Sequence, residues 1–312
     1  MNDKELREGG PPSRWDYTMR VTWRCCPRKF YWFRRGYDYA SEPPYFIFGR
    51  AWGATMGKWH SSEVNLAEMD DGDRVLWKTV ALRTGEALWE ASGVEGSRGD
   101  TLDNFRSLFG LYVDHYPYEA WTQVGAEQGW EWPLAGTPYI LAGAMDAYLD
   151  WPHYGFLVRE DKTTGMYMGD AFLAQWSFSP QVTGYVWYLV QLHGEEVFGC
   201  LMNLASKRVT KNSTGEDLFA RSLEKRSPWQ LDKYVEEFVH DIKEVEREWE
   251  SWVWPMASDP RECVGGIGKA ACLFRTLCRT ERGFEDVEPL NFQGIILRDT
   301  AWEPWLRRGS DS

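Results

Sequence analysis

The 312-residue chain lacks any apolar run long enough to cross a bilayer, which excludes a helical membrane protein. The opening MNDKELREGGPP is polar and charged, with no apolar stretch behind it, so no secretory leader is expected. Together these absences predict a cytoplasmic protein in a reducing compartment, with no membrane partner and with its six cysteines unpaired. No internal repeat is evident. Net positive charge is missing as well: 35 lysines and arginines face 47 acids, and the balance of −12 weighs against nucleic-acid binding, because phosphate contacts are electrostatic. Tryptophan, by contrast, is abundant at 19 residues; core packing is the default role, with exposed rings able to stack on unpaired bases.

Local patterns divide the chain. Residues 1–13 read as a disordered start, 14–61 as two leading helices, and 62–125 as a helical insertion with helices near 62–93 and 101–113. Residues 126–226 read as a mixed core, 227–300 as a long helix with a cysteine-rich segment, and 301–312 as a tail. Within the core, Tyr139–Leu149 and Phe156–Thr163 are rich in β-branched, aromatic and small residues and flank the turn-like Trp151-Pro152-His153-Tyr154-Gly155, so they predict a β-hairpin. Residues 197–206 predict a further buried strand. Ser177 or Ser179, with Pro180 at the first position, opens a helix through QVTGYVWYLV. Ser227-Pro228-Trp229-Gln230 is a capping box at the head of the long helix, which Pro255 ends.

The hairpin carries the chemistry. With the turn centred on His153, Asp146 falls opposite Glu160, with Cβ atoms roughly 4.5–5.5 Å apart. Strand alternation puts Glu160 and Lys162 on one face and Asp161 on the other. Two facing carboxylates repel, and a divalent cation removes that cost. Mg²⁺ or Mn²⁺ takes hard oxygen ligands, typically one or two carboxylates with water and phosphate. A lysine beside such an ion suits water activation or phosphate stabilisation. On the next helix Gln181 and Tyr185 are four apart and share a face, an amide and a phenol able to hold a phosphate oxygen or the lysine.

GAMDAYLDW, VREDKTTG and QVTGY, in that order, resemble the RecB-like branch of the PD-(D/E)XK nuclease superfamily. Gly143 and Asp146 match its first element, Glu160, Lys162 and Thr163 its second, and Gln181 and Tyr185 its third. The resemblance implies a restriction-endonuclease-like α/β fold, a small mixed sheet flanked by helices, with Asp146, Glu160 and the main-chain carbonyl of Asp161 around the metal. CCPRKFYWFRRG and FGRAWGATMGKWH also resemble the family's N-terminal elements. The family's histidine ligand falls here on Gly53, leaving His60, two turns further along the helix, or no histidine at all to complete the shell.

The last three cysteines are spaced Cys263-x8-Cys272-x5-Cys278, unlike the close pairs of a zinc site, and with one distant cysteine they suit a four-cysteine cluster. The nuclease branch includes members holding a [4Fe-4S] cluster with one N-terminal and three C-terminal cysteines. Cys26 matches the N-terminal position, with Cys25 as the alternative, and Cys200 reads as a core thiol.

Basic residues concentrate at 14–35, where Arg20, Arg24, Arg28, Lys29, Arg34 and Arg35 are expected to line a DNA path, and again at Lys207, Arg208 and Lys211. The expectation is therefore a metal-dependent DNA nuclease, an exonuclease acting on DNA ends or single strands. Recombination, helicase or CRISPR-type proteins are the partners that the resemblance implies. The alternatives are a non-catalytic DNA-end-binding scaffold on the same fold and an RNase.

Overall fold

The computed structural model describes residues 3–266, 270–280 and 288–306. In chain order they form α1 (Asp3–Gly9), β1 (Arg14–Trp15), α2 (Tyr17–Cys25), α3 (Pro27–Arg34), β2 (Tyr37–Tyr39), α4 (Pro44–Trp59), α5 (Asp71–Ser92) and α6 (Leu102–His115). Then come β3 (Thr122–Pro133), β4 (Ile140–Trp151), β5 (Gly155–Thr164), α7 (Asp170–Ala174), α8 (Pro180–His193) and β6 (Val197–Ser206). The chain continues with α9 (Gly215–Leu218), β7 (Phe219–Glu224), α10 (Pro228–Ser251), α11 (Arg261–Val264) and β8 (Ile295–Leu297). Among the described residues no helix is long and apolar enough to cross a membrane.

The fold is mixed α/β. A six-stranded sheet runs β1-β4-β5-β6-β7, with β3 also paired to β4. β4 and β5 are antiparallel, β5 and β6 parallel, and β6 and β7 antiparallel. The parallel step needs a crossover, and α8 supplies it. Its start is local chemistry: Ser179 Oγ accepts from the Val182 N–H at 3.4 Å, with Pro180 at the first position. The predicted box at α10 is present too, Ser227 and Gln230 capping each other at 2.8 and 3.3 Å.

The chain gathers into two compact units. One comprises the chain up to Ser41, Glu131–Gly143 and Asp232–Pro304; the other is built mainly from Glu42–Trp130 and Ala144–Leu231. The expected block 14–61 is therefore divided: α2 and α3 belong with the C-terminal region, and α4 belongs with the insertion. In the second unit α4 and α5 cross closely because position 85 has no side chain. A Cβ on Gly85 would lie 2.2 Å from Thr55 Oγ1 and 2.7 Å from the Ala51 carbonyl. Trp52, Trp59, Phe105, Phe109 and Tyr112 fill the core beneath them, so the insertion forms part of the main core.

In the first unit the expectation of a disordered start is corrected for the described residues. Residues 3–9 are helical, and Leu6 is buried, which ties the segment down. Trp15 stacks on Phe30 at 5.6 Å, and Trp23, Trp252 and Trp254 pack nearby; most of these tryptophans are core residues.

Candidate active site

The β4–β5 turn sets the geometry. His153 and Gly155 both take positive φ, 77° and 82°, and a Cβ on Gly155 would lie 2.2 Å from the Glu196 carbonyl, so only glycine fits there. The resulting ladder pairs Trp151 with Gly155, Tyr148 with Val158 and Ala147 with Arg159. Its next step is Asp146 opposite Glu160, the register expected from a turn centred on His153.

Beyond the last paired residues the strands bind through a side chain. The Asp161 N–H donates to Asp146 Oδ2 at 2.9 Å. A residue in an extended strand sends its N–H and C=O to the same edge, so the Asp161 carbonyl also points toward the β4 side. Lys162 Nζ lies 2.5 Å from Glu160 Oε1, its side chain 33% exposed and that of Glu160 2% exposed. The other Glu160 oxygen, Oε2, is buried with no hydrogen-bond partner.

Burial is the main cause of the electrostatic state of both acids. It pushes the Glu160 carboxyl up to about 8; the nearby Asp146 charge adds to the shift and Lys162 opposes it. The Asp146 carboxyl is likewise raised, chiefly by desolvation, with Lys162 the leading opposing influence. Two acids whose charged forms burial disfavours, one oxygen left unpaired, and an ammonium group alongside are the donor set that a divalent cation stabilises. The residues fit such an ion.

Gln181 and Tyr185 come together as their spacing predicts. Gln181 Nε2 donates to the Tyr185 hydroxyl at 2.9 Å, and that hydroxyl donates to the Ala144 carbonyl at 2.7 Å. The pair thus grips the β4 backbone two residues before Asp146. Tyr185 is buried, so its contact is with the strand that carries the acid.

His60 is a correction. Its ring is buried, 3.2 Å from the Tyr112 hydroxyl and 4.0 Å from Glu119 Oε1. Burial together with Arg159 and Arg221 pushes its pKa well down. Tyr112 belongs to a network around the Asp161 side chain, which strand alternation places on the face of β5 away from Glu160 and Lys162. The sheet itself separates His60 from the acids, so it does not complete their shell.

That network is what sequence reasoning missed. Asp161 accepts from Arg159 Nε at 3.0 Å and from Asn203 Nδ2 at 2.7 Å. Asn203 Oδ1 in turn accepts from Arg221 Nε at 3.1 Å, and Arg221 donates to Tyr112 at 2.9 Å and pairs with Glu119. Asp161 therefore links two faces: its N–H holds Asp146, and its carboxylate is clamped from behind. The available signal was the parity of β5, which puts Arg159 and Asp161 together on an otherwise apolar buried face.

The N-terminal arginines are corrected in part. Arg20 is buried, bonded to Asp241 at 2.6 Å and Glu237 at 3.2 Å, and stacked over Phe238. Arg24 makes two bonds to Asp241, at 2.7 and 2.9 Å. Arg35 is buried among Tyr31, Trp32 and Tyr37. Burial lowers Arg34 to about 10, with Arg298 adding to the effect. Arg28 donates to the Trp254 carbonyl at 3.1 Å, and Lys29 is half-buried. Acids on α10 and aromatic rings, rather than phosphates, are the partners of Arg20, Arg24 and Arg35.

The cysteines lie together in the first unit. Cys26 Sγ accepts from the Lys29 N–H at 3.4 Å, and the Cys272 N–H donates to the Cys263 carbonyl at 3.0 Å. Burial pushes the Cys278 thiol up to about 11; Arg28 opposes that shift, and the neighbouring Cys26 and Cys272 add to it. Cys272 is raised by burial, with Cys26 and Cys263 adding. Cys272 thus lies in the field of Cys26 and Cys263, and Cys278 in that of Cys26 and Cys272. Among the described residues no three of them lie within 4.8 Å of one another, a wider spread than the ~3.8 Å sulfur separations of a tetrahedral zinc–sulfur site. Cys200 is a fully buried thiol against Met202, as expected.

No family model and no curated protein sequence matches the chain. The chain is similar in structure to a provisionally assigned exonuclease from Eubacterium rectale. That crystal structure aligns with a TM-score of 0.52 at 9% identity, covering 93% of this chain and 97% of the other. The two share a mixed α/β fold. A second solved structure, SSO0001, aligns at a TM-score of 0.29 and 11% identity, over 64% of this chain and 84% of its own, a level that defines no common fold.

Proposed function

We propose that the protein is a Mg²⁺- or Mn²⁺-dependent deoxyribonuclease, an exonuclease working at DNA ends or on single strands, that also carries a [4Fe-4S] cluster. One observation carries the reading: the unpaired, buried Glu160 Oε2 lies in the field of Asp146, beside the Lys162 ammonium. The RecB-like motif order in the sequence and a structural neighbour described as an exonuclease support it.

Asp146, Glu160 and the Asp161 carbonyl would hold the cation, which supplies charge neutralisation and a more acidic water. Lys162 orients the attacking water or the phosphate oxygen by hydrogen bonding. Gln181 and Tyr185 keep β4 in register, so that Asp146 stays beside Glu160. The phosphodiester P–O bond breaks as water's oxygen bonds to phosphorus; the water releases one proton to solvent and the leaving oxygen takes one up from it. Cys26, Cys263, Cys272 and Cys278 would hold the cluster, whose role is to cross-link the first unit. DNA recombination, repair and phage DNA processing are the settings that the motif resemblance points to.

The test is wild-type protein against Lys162→Ala on end-labelled linear DNA with Mn²⁺, with an RNA of the same sequence in parallel. Wild type is expected to shorten the DNA, and the variant to lose at least about 10²-fold of that rate. Equal rates, or no cleavage by wild type, defeat the proposal; preferred cleavage of RNA makes the enzyme an RNase. One observation favours the rival reading of a non-catalytic DNA-end-binding scaffold: neither Gly53 nor the displaced His60 offers the acids an imidazole. DNA ends bound but left intact by wild type would establish that rival.

A further inference from the structure

Two loops extend from the site along the chain. One follows β5, just after Lys162; the other precedes α8, just before Gln181. Each presents a large ring to solvent. Tyr167 is 78% exposed and Phe178 is 84% exposed. Tyr167 is five residues from Lys162 and Phe178 three from Gln181, within roughly 18 Å and 11 Å even for extended chain.

The backbone holding these rings is pinned. The Met166 N–H donates to Thr164 Oγ1 at 2.9 Å. The Tyr167 ring lies over Gly169, 2.7 Å from where a Cβ would stand, so a larger residue at 169 would displace it. Ser177 Oγ donates to Glu224 Oε2 at 2.8 Å, and Arg226 Nη2 donates to the Trp176 carbonyl at 2.7 Å. Phe178 is thus fixed at its backbone and bare at its ring.

Cations adjoin the end of the sheet from which the Tyr167 loop leaves. β5 and β6 end side by side, with Thr164 opposite Ser206, and the Lys207 N–H donates to the Thr164 carbonyl at 2.8 Å. Lys207 itself pairs with Asp100, while Arg208 and Lys211 are exposed. Bare aromatic faces held on rigid loops beside exposed cations match the chemistry of an unpaired strand. Every base offers a π-face to a ring, and its phosphate offers a charge to a cation.

We propose that Tyr167 and Phe178 stack the bases of a single-stranded polynucleotide while Arg208 and Lys211 hold its phosphates, leading the strand toward the carboxylate–lysine site. The inference rests on the nuclease reading and adds to it a preference for unpaired substrate.

The experiment measures binding in EDTA, so that no strand is cut. Fluorescent single-stranded DNA, single-stranded RNA and a blunt duplex of the same sequence are titrated with the full chain by anisotropy. Wild type is expected to bind the single strands at least about tenfold more tightly than the duplex. Tyr167→Ala and Phe178→Ala should each weaken single-strand binding about tenfold and leave the duplex unchanged, with Tyr167→Phe and Phe178→Tyr restoring it. Both rings are exposed, so thermal melting should match wild type. Arg208→Gln with Lys211→Gln should flatten the salt dependence.

Equal affinity of wild type for single strand and duplex overturns the proposal. So do alanine variants that bind like wild type, or that change only the mass of a self-assembled species; in both cases the nuclease reading stands if cleavage persists. Failure to bind any of the three probes sinks both readings.

Discussion

Glu160→Gln is the sharpest probe of the site, because it keeps the shape and removes the charge. Burial raises the Glu160 carboxyl from an ordinary 4.5 to about 8, so the folded protein holds a proton that the unfolded chain releases. Stability from this group is therefore fully present below pH 4.5 and falls as pH rises toward 8. At 1.36 kcal/mol per pH unit, the loss reaches about 3 kcal/mol by pH 7. Glutamine does not titrate, so the variant loses this contribution and keeps only the pH dependence of the other groups, Asp146 among them. In EDTA, urea unfolding at pH 4.5, 6, 7 and 8 should show variant and wild type converging at the acid end and the variant pulling ahead toward pH 8. Adding Mn²⁺ should reverse the order. At 100 times its dissociation constant, the ion stabilises wild type by about 2.7 kcal/mol, and it should do little for the variant. A stability difference that does not change with pH would refute the desolvated-acid account, and an equal Mn²⁺ response in both proteins would remove Glu160 from the metal site.

Asn203→Leu should destabilise the protein by about 2–4 kcal/mol in urea, because it leaves the buried Asp161 carboxylate short of a donor at 2.7 Å. It should also lower kcat for DNA cleavage more than it raises KM, since Asp161 positions Asp146. Gly85→Ala should cost about 1–3 kcal/mol by forcing α4 and α5 apart, measured by thermal melting; a cost near zero would mean that the Thr55 contact relaxes freely. The proposed cluster predicts that wild type purifies brown with visible absorption and that Cys278→Ser is colourless with a lower melting temperature. A variant as coloured as wild type would exclude Cys278 as a cluster ligand.

Elements written in local chemistry were legible in the sequence. The turn around His153 fixed the hairpin register; serine–proline starts marked α8 and α10; alternation separated Glu160 and Lys162 from Asp161; and spacing joined Gln181 to Tyr185. The elements missed were short or depended on distant partners. β1 and β2 are two and three residues long, too short for a period to show, and β2 exists through its pairing with β8. The helix at residues 3–9 is likewise secured by burial of Leu6, which no local pattern reveals.

The same division holds for the site. Composition, alternation and turn chemistry determined which groups share the face of Glu160 and Lys162, because those rules act over a few residues. Only tertiary structure decided the fate of the remaining charges. Arg20 and Arg24, expected to meet phosphate, instead meet Asp241, 221 and 217 positions away. His60, a turn-spaced candidate for the metal, lies beneath the sheet against Tyr112, 52 positions distant. The physical reason is common to Arg20 and His60, both buried: a charge or imidazole removed from water must find a partner, and that partner comes from whichever segment the core brings beside it; Arg24, 52% exposed, shares the same acid from its open side.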